Sequence, residues 1–495
     1  MKYFTVNSGT YFWGGVMENK RNLTVKEKAS YGLGAVGKDM VYMLSASYVL
    51  YYFQDVMGVS AVAMGIILLG ARVFDAFNDP IMGIIVAKTK TKMGRFRPWL
   101  LIGTLTNSVV LFLMFSCPPS LDGAGLTAYA AIFYILWGVT YTMMDIPFWS
   151  MIPAFTKGGK ERENLTTLAR SCSGVGSAVV MVITMVAVHA LGNVFAGADA
   201  AAREIERTGF SIFSLIIAVL FSVFIIITCT NIKEKSTVDV DTATVGEMFK
   251  ALFRNDQALC VVVAIVVVNC SMYITSNLAI YFFKYDFGGV DWYKSYTYFT
   301  TFGGAMQIIG MMIFYPVLRK FFNSIKIYFI SLIMCMGGYA AFFIMCWSAI
   351  DNVFILFIPA FFIFAANGML QVLVTIFLAN TVDYGEVKNG RRDESVIFSM
   401  QTFVVKLASG ISAFIASMTL AAFSLSSDNT EKAIDFSEGI SVSQKMGLRM
   451  VMTIIPIIGL IFAYFWFKKK YILTDETVEE LSRETEKLHQ EKAVS

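Results

Sequence analysis

Residues 59–87 read VSAVAMGIILLGARVFDAFNDPIMGIIVA. A membrane-spanning helix needs about 20 mostly apolar residues, and this run exceeds that length while carrying Arg72, Asp75, Asn78 and Asp79. At offsets of three, six and seven, the four polar residues share one helix face. An ionisable residue inside a span costs at least about 2.5–3.5 kcal/mol on insertion scales, so it faces the bundle interior and marks a pathway or a site. Two carboxylates and an amide oxygen on one face are hard ligands for a small cation such as sodium or lithium. The bland alternative is a buried network in which Arg72 neutralises Asp75 and Pro80 bends the helix. Two acids against one base nevertheless leave one acid in want of a cation or a proton.

The rest of the chain repeats this apolar texture. Of its 495 residues 56% are hydrophobic and 15% charged, far below the roughly 25% charge of a soluble domain. Twelve windows of span length follow, at 31–53, 59–87, 99–117, 126–155, 164–190, 209–230, 257–284, 295–316, 326–347, 353–381, 396–424 and 447–467. Most of the 40 Lys and Arg fall in segments on the same side as the N-terminus. The heaviest cluster is Lys88 to Arg97, and the asymmetry puts both termini in the cytoplasm of a bacterial inner membrane, with Ser426–Lys445 outside. The net charge of +4 therefore reports orientation rather than nucleic-acid binding. The 7 cysteines lie in apolar stretches without metal-ligand spacing, and a structural or solvated role is expected for His189 and His489. No metal or redox enzyme is indicated, nor a nucleophile with its base. Residues 1–16 lack the features of a secretory signal, and Met17 begins a plainer start.

The polar stretch 231–256 separates six spans (31–230) from six (257–467), with 1–30 and the amphipathic segment 468–495 as cytoplasmic ends. A short pattern, Lys-x-Gly-[Lys/Arg]-x-x-Glu, recurs at Lys157–Glu163 and Lys388–Glu394. Weak internal symmetry of this kind marks paired transporter halves. The expectation is an all-α protein of two parallel six-helix bundles around a central cavity, and a monomer is compatible with it.

Span four repeats the design of span two. Thr142, Asp145 and Trp149 share a face, and Pro147 loosens the helix between them. A carboxylate accepts two sugar hydroxyls, and an indole offers a flat apolar surface to a pyranose ring. Taken alone, Trp149 also fits an interfacial belt. Lys38 and Asp39 in span one, Arg170 in span five, and Gln401, Thr402 and Lys406 in span eleven are each open to a reading as snorkelling or paired residues. Together they make a mixed-charge cavity suited to a neutral, hydroxyl-rich solute.

Several segments resemble the glycoside-pentoside-hexuronide:cation symporters of the major facilitator superfamily, and most of all their melibiose-permease-like members. They are Ser30–Asp39 (SYGLGAVGKD), Phe74–Ile84 (FDAFNDPIMGI), Arg95–Thr104 (RFRPWLLIGT), Ile135–Ser150 (ILWGVTYTMMDIPFWS), Thr381–Glu386 (TVDYGE) and Glu394–Lys406 (ESVIFSMQTFVVK). The resemblance implies a cation site at Asp75, Asn78, Asp79 and Thr142, taking sodium, lithium or a proton. It implies a sugar site at Lys38, Asp39, Asp145, Trp149, Arg170, Gln401, Thr402 and Lys406. A sugar, a monovalent cation and membrane lipid are then the partners, with no cofactor. Asn380 departs from the pattern where an acid is expected, and Arg170 sits in a differently composed span. An α-galactoside is the first expectation; another glycoside, a pentoside or a hexuronide, or a drug or lipid substrate on the same fold, are the alternatives.

Overall fold

The computed structural model describes residues 23–156, 159–197, 199–232, 234, 245–289, 291–346, 352–389, 394–425, 436–437, 439–481 and 484. Met1 to Asn22, Ser426 to Asp435 and Thr485 to Ser495 lie outside them, and with them the proposed start at Met17, most of the loop before Lys445, and His489. Lys157, Gly158 and Gly390 to Asp393 also lie outside, so the recurring loop pattern is only partly seen. Among the described residues the chain is almost wholly helical, and the one β feature is an isolated bridge from Thr91 to Gly94.

The long helices, in chain order, are α1 (Val25–Tyr51), α2 (Ala61–Lys88), α3 (Arg97–Met114), α4 (Gly123–Ser150), α5 (Gly159–Phe195) and α6 (Ala202–Asn231). After a short helix, Val245–Arg254, come α7 (Asp256–Tyr281), α8 (Trp292–Ile309), α9 (Ser324–Met345), α10 (Phe357–Asn389), α11 (Glu394–Ala422) and α12 (Val442–Lys470). Local chemistry sets their starts. Thr24 and Glu27 form a reciprocal capping box ahead of α1, as Ser441 and Gln444 do ahead of α12. At α3 the carboxylate of Glu234, just past α6, accepts the backbone N–H of Arg95 (2.6 Å), Phe96 (2.9 Å) and Arg97 (3.0 Å). A carboxylate there meets the positive end of the helix dipole.

By length and composition, 11 helices among the described residues can cross a membrane. α1 is not among them, because Lys38, Asp39 and a set of tyrosines lower its hydropathy, although its 27 residues suffice in length. The helices also overrun the expected spans at their charged ends, since a helix does not stop where hydropathy falls. The stretch expected to be linker holds the helix Val245–Arg254, which turns Leu252 inward and leaves Phe253 exposed.

The packing repeats itself. α1 packs on α5 and α6, α2 on α4, and α3 on α4 and α6; in the second half α7 packs on α11 and α12, α8 on α10, and α9 on α10 and α12. An offset of 231 residues carries Val25 onto Asp256 and Ala61 onto Trp292, the first residues of paired helices. The same offset relates Lys157 to Lys388. It also carries Asp55 onto Asp286, each inside a π-helical turn that ends the helix, Tyr52–Val56 after α1 and Phe282–Phe287 after α7. The halves meet where α2 packs on α11 and α5 on α8.

Candidate transport site

The α2 face meets α4 on one side and α11 on the other. Arg72 pairs with Asp75 at 3.1 Å and donates to the Tyr134 hydroxyl of α4 at 3.0 Å. Both members of the pair are buried, so Asp75 is already neutralised within its own helix. Gly410 of α11 admits the arginine, since a Cβ there would stand 2.8 Å from Arg72 Cγ. One turn along, Asp79 accepts a hydrogen bond from Thr142 of α4 at 2.9 Å. Its other oxygen is ion-paired with Lys406 of α11. The acid left over in the sequence reading thus meets an ammonium from the opposite half. Asn78 lies beside it with its Nδ2 buried and without a hydrogen-bond partner.

The second cluster shares α4. The Lys38 ammonium lies 2.8 Å from Asp145 and 3.6 Å from Asp39, and donates to the Tyr141 hydroxyl at 3.0 Å. Trp149, one turn beyond Asp145, stands between two cations. Arg170 lies 3.9 Å from its ring centroid and Lys38 5.3 Å. Gln401 is half-buried in α11, and the side chain of Thr402 lies outside what is described. Lys406, expected with the sugar residues, is ion-paired with Asp79. Asp79 and Asp145 each keep 28% of their side-chain surface, so both clusters face open space.

A family model described as MFS/sugar transport protein matches residues 30–475. The chain belongs to the glycoside-pentoside-hexuronide transporter family of the major facilitator superfamily. It is similar to the raffinose carrier protein of Pediococcus pentosaceus, with 29% identity covering 92% of this chain and 71% of that protein. It is also similar to the putative glycoside/cation symporter YagG of Escherichia coli (strain K12), with 27% identity covering 93% of this chain and 95% of that one. The fold is that of the nucleoside transporter NupG, with a TM-score of 0.59 at 11% identity over 89% of this chain and 98% of that one. This is a membrane transporter and not an enzyme.

In this transporter a third polar cluster lies where α1 ends, and it was not singled out from the sequence. Lys284, just past α7, is ion-paired with Asp55 and donates to the Tyr51 hydroxyl at 2.8 Å. Tyr285 donates to Asp55, and Tyr51 donates to Glu206 of α6 at 2.8 Å. Asp55, Glu206 and Lys284 are each no more than 2% exposed, so this end is sealed between the halves. The repeat-related Asp286 instead holds Arg449 of its own half through two hydrogen bonds of 2.6 Å. The aligned segments YYFQDV and FFKYDF, 231 residues apart, carry the one signal that pointed to this cluster.

Proposed function

We propose that this protein couples the entry of a monovalent cation to the uptake of a glycoside by alternating access between its two halves, with α1 as the twelfth span. Sodium is the first cation, with lithium or a proton as substitutes, and an α-galactoside of the melibiose type is the first sugar. The observation that carries this reading is that Asp79 and Asp145 lie on or against one helix. Thr142 touches Asp79, and Asp145, on the same face of α4, holds Lys38. The oxygens of Asp79, Thr142 and Asp75 suit a hard cation, and turning the Asn78 amide would bring a fourth oxygen to the place of its orphaned nitrogen. Lys406 occupies Asp79 as a tethered cation, so a free cation entering there takes over its role and releases Lys406. The names of the raffinose carrier and of the glycoside/cation symporter support a glycoside substrate and cation coupling.

The test is uptake of labelled melibiose into sealed vesicles containing the protein, with and without an inward sodium gradient. Sodium-driven accumulation above equilibrium is expected. Accumulation driven by no cation gradient, or no uptake of any glycoside, would overturn the reading.

A further inference from the structure

The short helix between the halves, Val245–Arg254, keeps an apolar stripe that the rest of the chain covers only in part. Val245, Met248, Phe249, Leu252 and Phe253 recur at the spacing of one helix face. Leu252 turns into the protein and is 4% exposed, whereas Phe249 remains 38% and Phe253 70% exposed. These two rings lie one turn apart with centroids at 6.3 Å, and Phe249 continues the row onto Phe403 of α11 at 6.0 Å.

The ends of the spans fix where this row stands. The helix packs on α2, α7 and α11. The apolar window of α2 closes at Val86, that of α7 opens at Asp256, and that of α11 opens at Phe403. Phe403 is thus both the first residue of a membrane window and the ring that Phe249 meets. Phe253 itself lies within one turn of the first residue of α7. The helix therefore runs along the boundary between hydrocarbon and water rather than out in solvent.

Its charges suit that place. Lys250 and Arg254 follow the two phenylalanines in the chain and are exposed, and Glu247 is the one acid of the helix. Lys88, Lys90 and Lys92, at and after the end of α2, are exposed as well. An apolar stripe bordered by basic side chains is the pattern of a helix lying in the interface plane, where the rings enter the acyl boundary and the cations meet phosphate. We infer that Val245–Arg254 is a binding site for anionic phospholipid, with Phe249 and Phe253 against the acyl chains and Lys250 with Arg254 at the headgroup. A soluble anion would answer the charges and leave both rings in water, whereas a lipid covers rings and charges together. The helix belongs to the connection between the halves and touches α2 of one and α7 and α11 of the other, so the bound lipid anchors that connection at the membrane surface.

The test uses full-length protein in vesicles of equal parts phosphatidylglycerol and phosphatidylcholine, with photoreactive benzoylphenylalanine in place of Phe253. Illumination, followed by mass spectrometry of the peptide that carries it, identifies what the ring touches. The same residue in place of Ile458, exposed on α12, reads the bulk lipid ratio. Lipid adducts at Phe253 are expected, enriched in phosphatidylglycerol over that ratio by about fivefold, the worth of one basic residue near a membrane surface. Lys250→Glu should remove the enrichment and keep the lipid adducts. Should the Phe253 substitution prevent folding, native mass spectrometry of the otherwise unaltered chain decides. That chain should retain phosphatidylglycerol in preference to phosphatidylcholine, and Lys250→Glu should weaken the preference about fivefold or more. Adducts at the bulk ratio, or an unchanged preference in Lys250→Glu, overturn the proposal. So do adducts only to other parts of this chain, which would mark the helix as a lid on the transport path.

Discussion

Asp79 stands between a hydroxyl of α4 and an ammonium of α11, and this makes it the residue whose loss says most. Asp79→Cys should abolish uphill accumulation while leaving downhill sugar exchange measurable, because the contacts to Lys38 and Trp149 are made by other residues. Sodium-driven accumulation in this variant would refute the cation assignment. Asp75 differs from it, since Arg72 already neutralises it inside the membrane. Arg72→Ala strands a buried carboxylate and should destabilise the protein by about 3–5 kcal/mol, as broken buried pairs do. Thermal unfolding in detergent checks this, with Arg72→Lys as the milder companion.

At the scale of the helix, the α2–α11 contact carries the meeting of the halves, and one glycine permits it. A Cβ at Gly410 would come within 2.8 Å of Arg72 Cγ and 2.9 Å of its Cβ. Gly410→Leu should therefore push α11 off α2, part Lys406 from Asp79 and lower transport at least tenfold, while Gly410→Ala loses less because a single methyl against the root of the arginine side chain asks for a smaller shift of the two helices. Initial rates of sugar uptake, with expression and folding monitored, distinguish the two. Equal activity of the Leu variant and wild type would show that this contact does not govern transport. The α2 face was legible in advance because helical periodicity needs only local spacing. Its partners were not, since Lys406 lies more than three hundred residues away and only packing brings it near.

For the whole molecule, the two clusters share α4, so binding at one should bear on the other. Sodium should raise sugar affinity by the factor by which sugar raises sodium affinity, typically about 5–150-fold for such couplings. Titrations of sugar against a sodium series, then of sodium with and without sugar, in wild type and in Trp149→Ala, measure it. Trp149→Ala should weaken sugar and leave sodium affinity without sugar nearly unchanged; equal sugar affinity with and without sodium in wild type would uncouple the clusters. What the sequence determined by itself was the membrane-spanning helical class, a trace of the internal repeat and the polar faces of α2 and α4, all of which follow from composition and local spacing. Only the tertiary structure decided which charge answers which: Lys406 on Asp79, Arg170 over Trp149, and Lys284 on Asp55. Such pairings depend on how distant helices pack across the cavity, and in a low-dielectric interior each buried charge takes the partner that packing sets beside it.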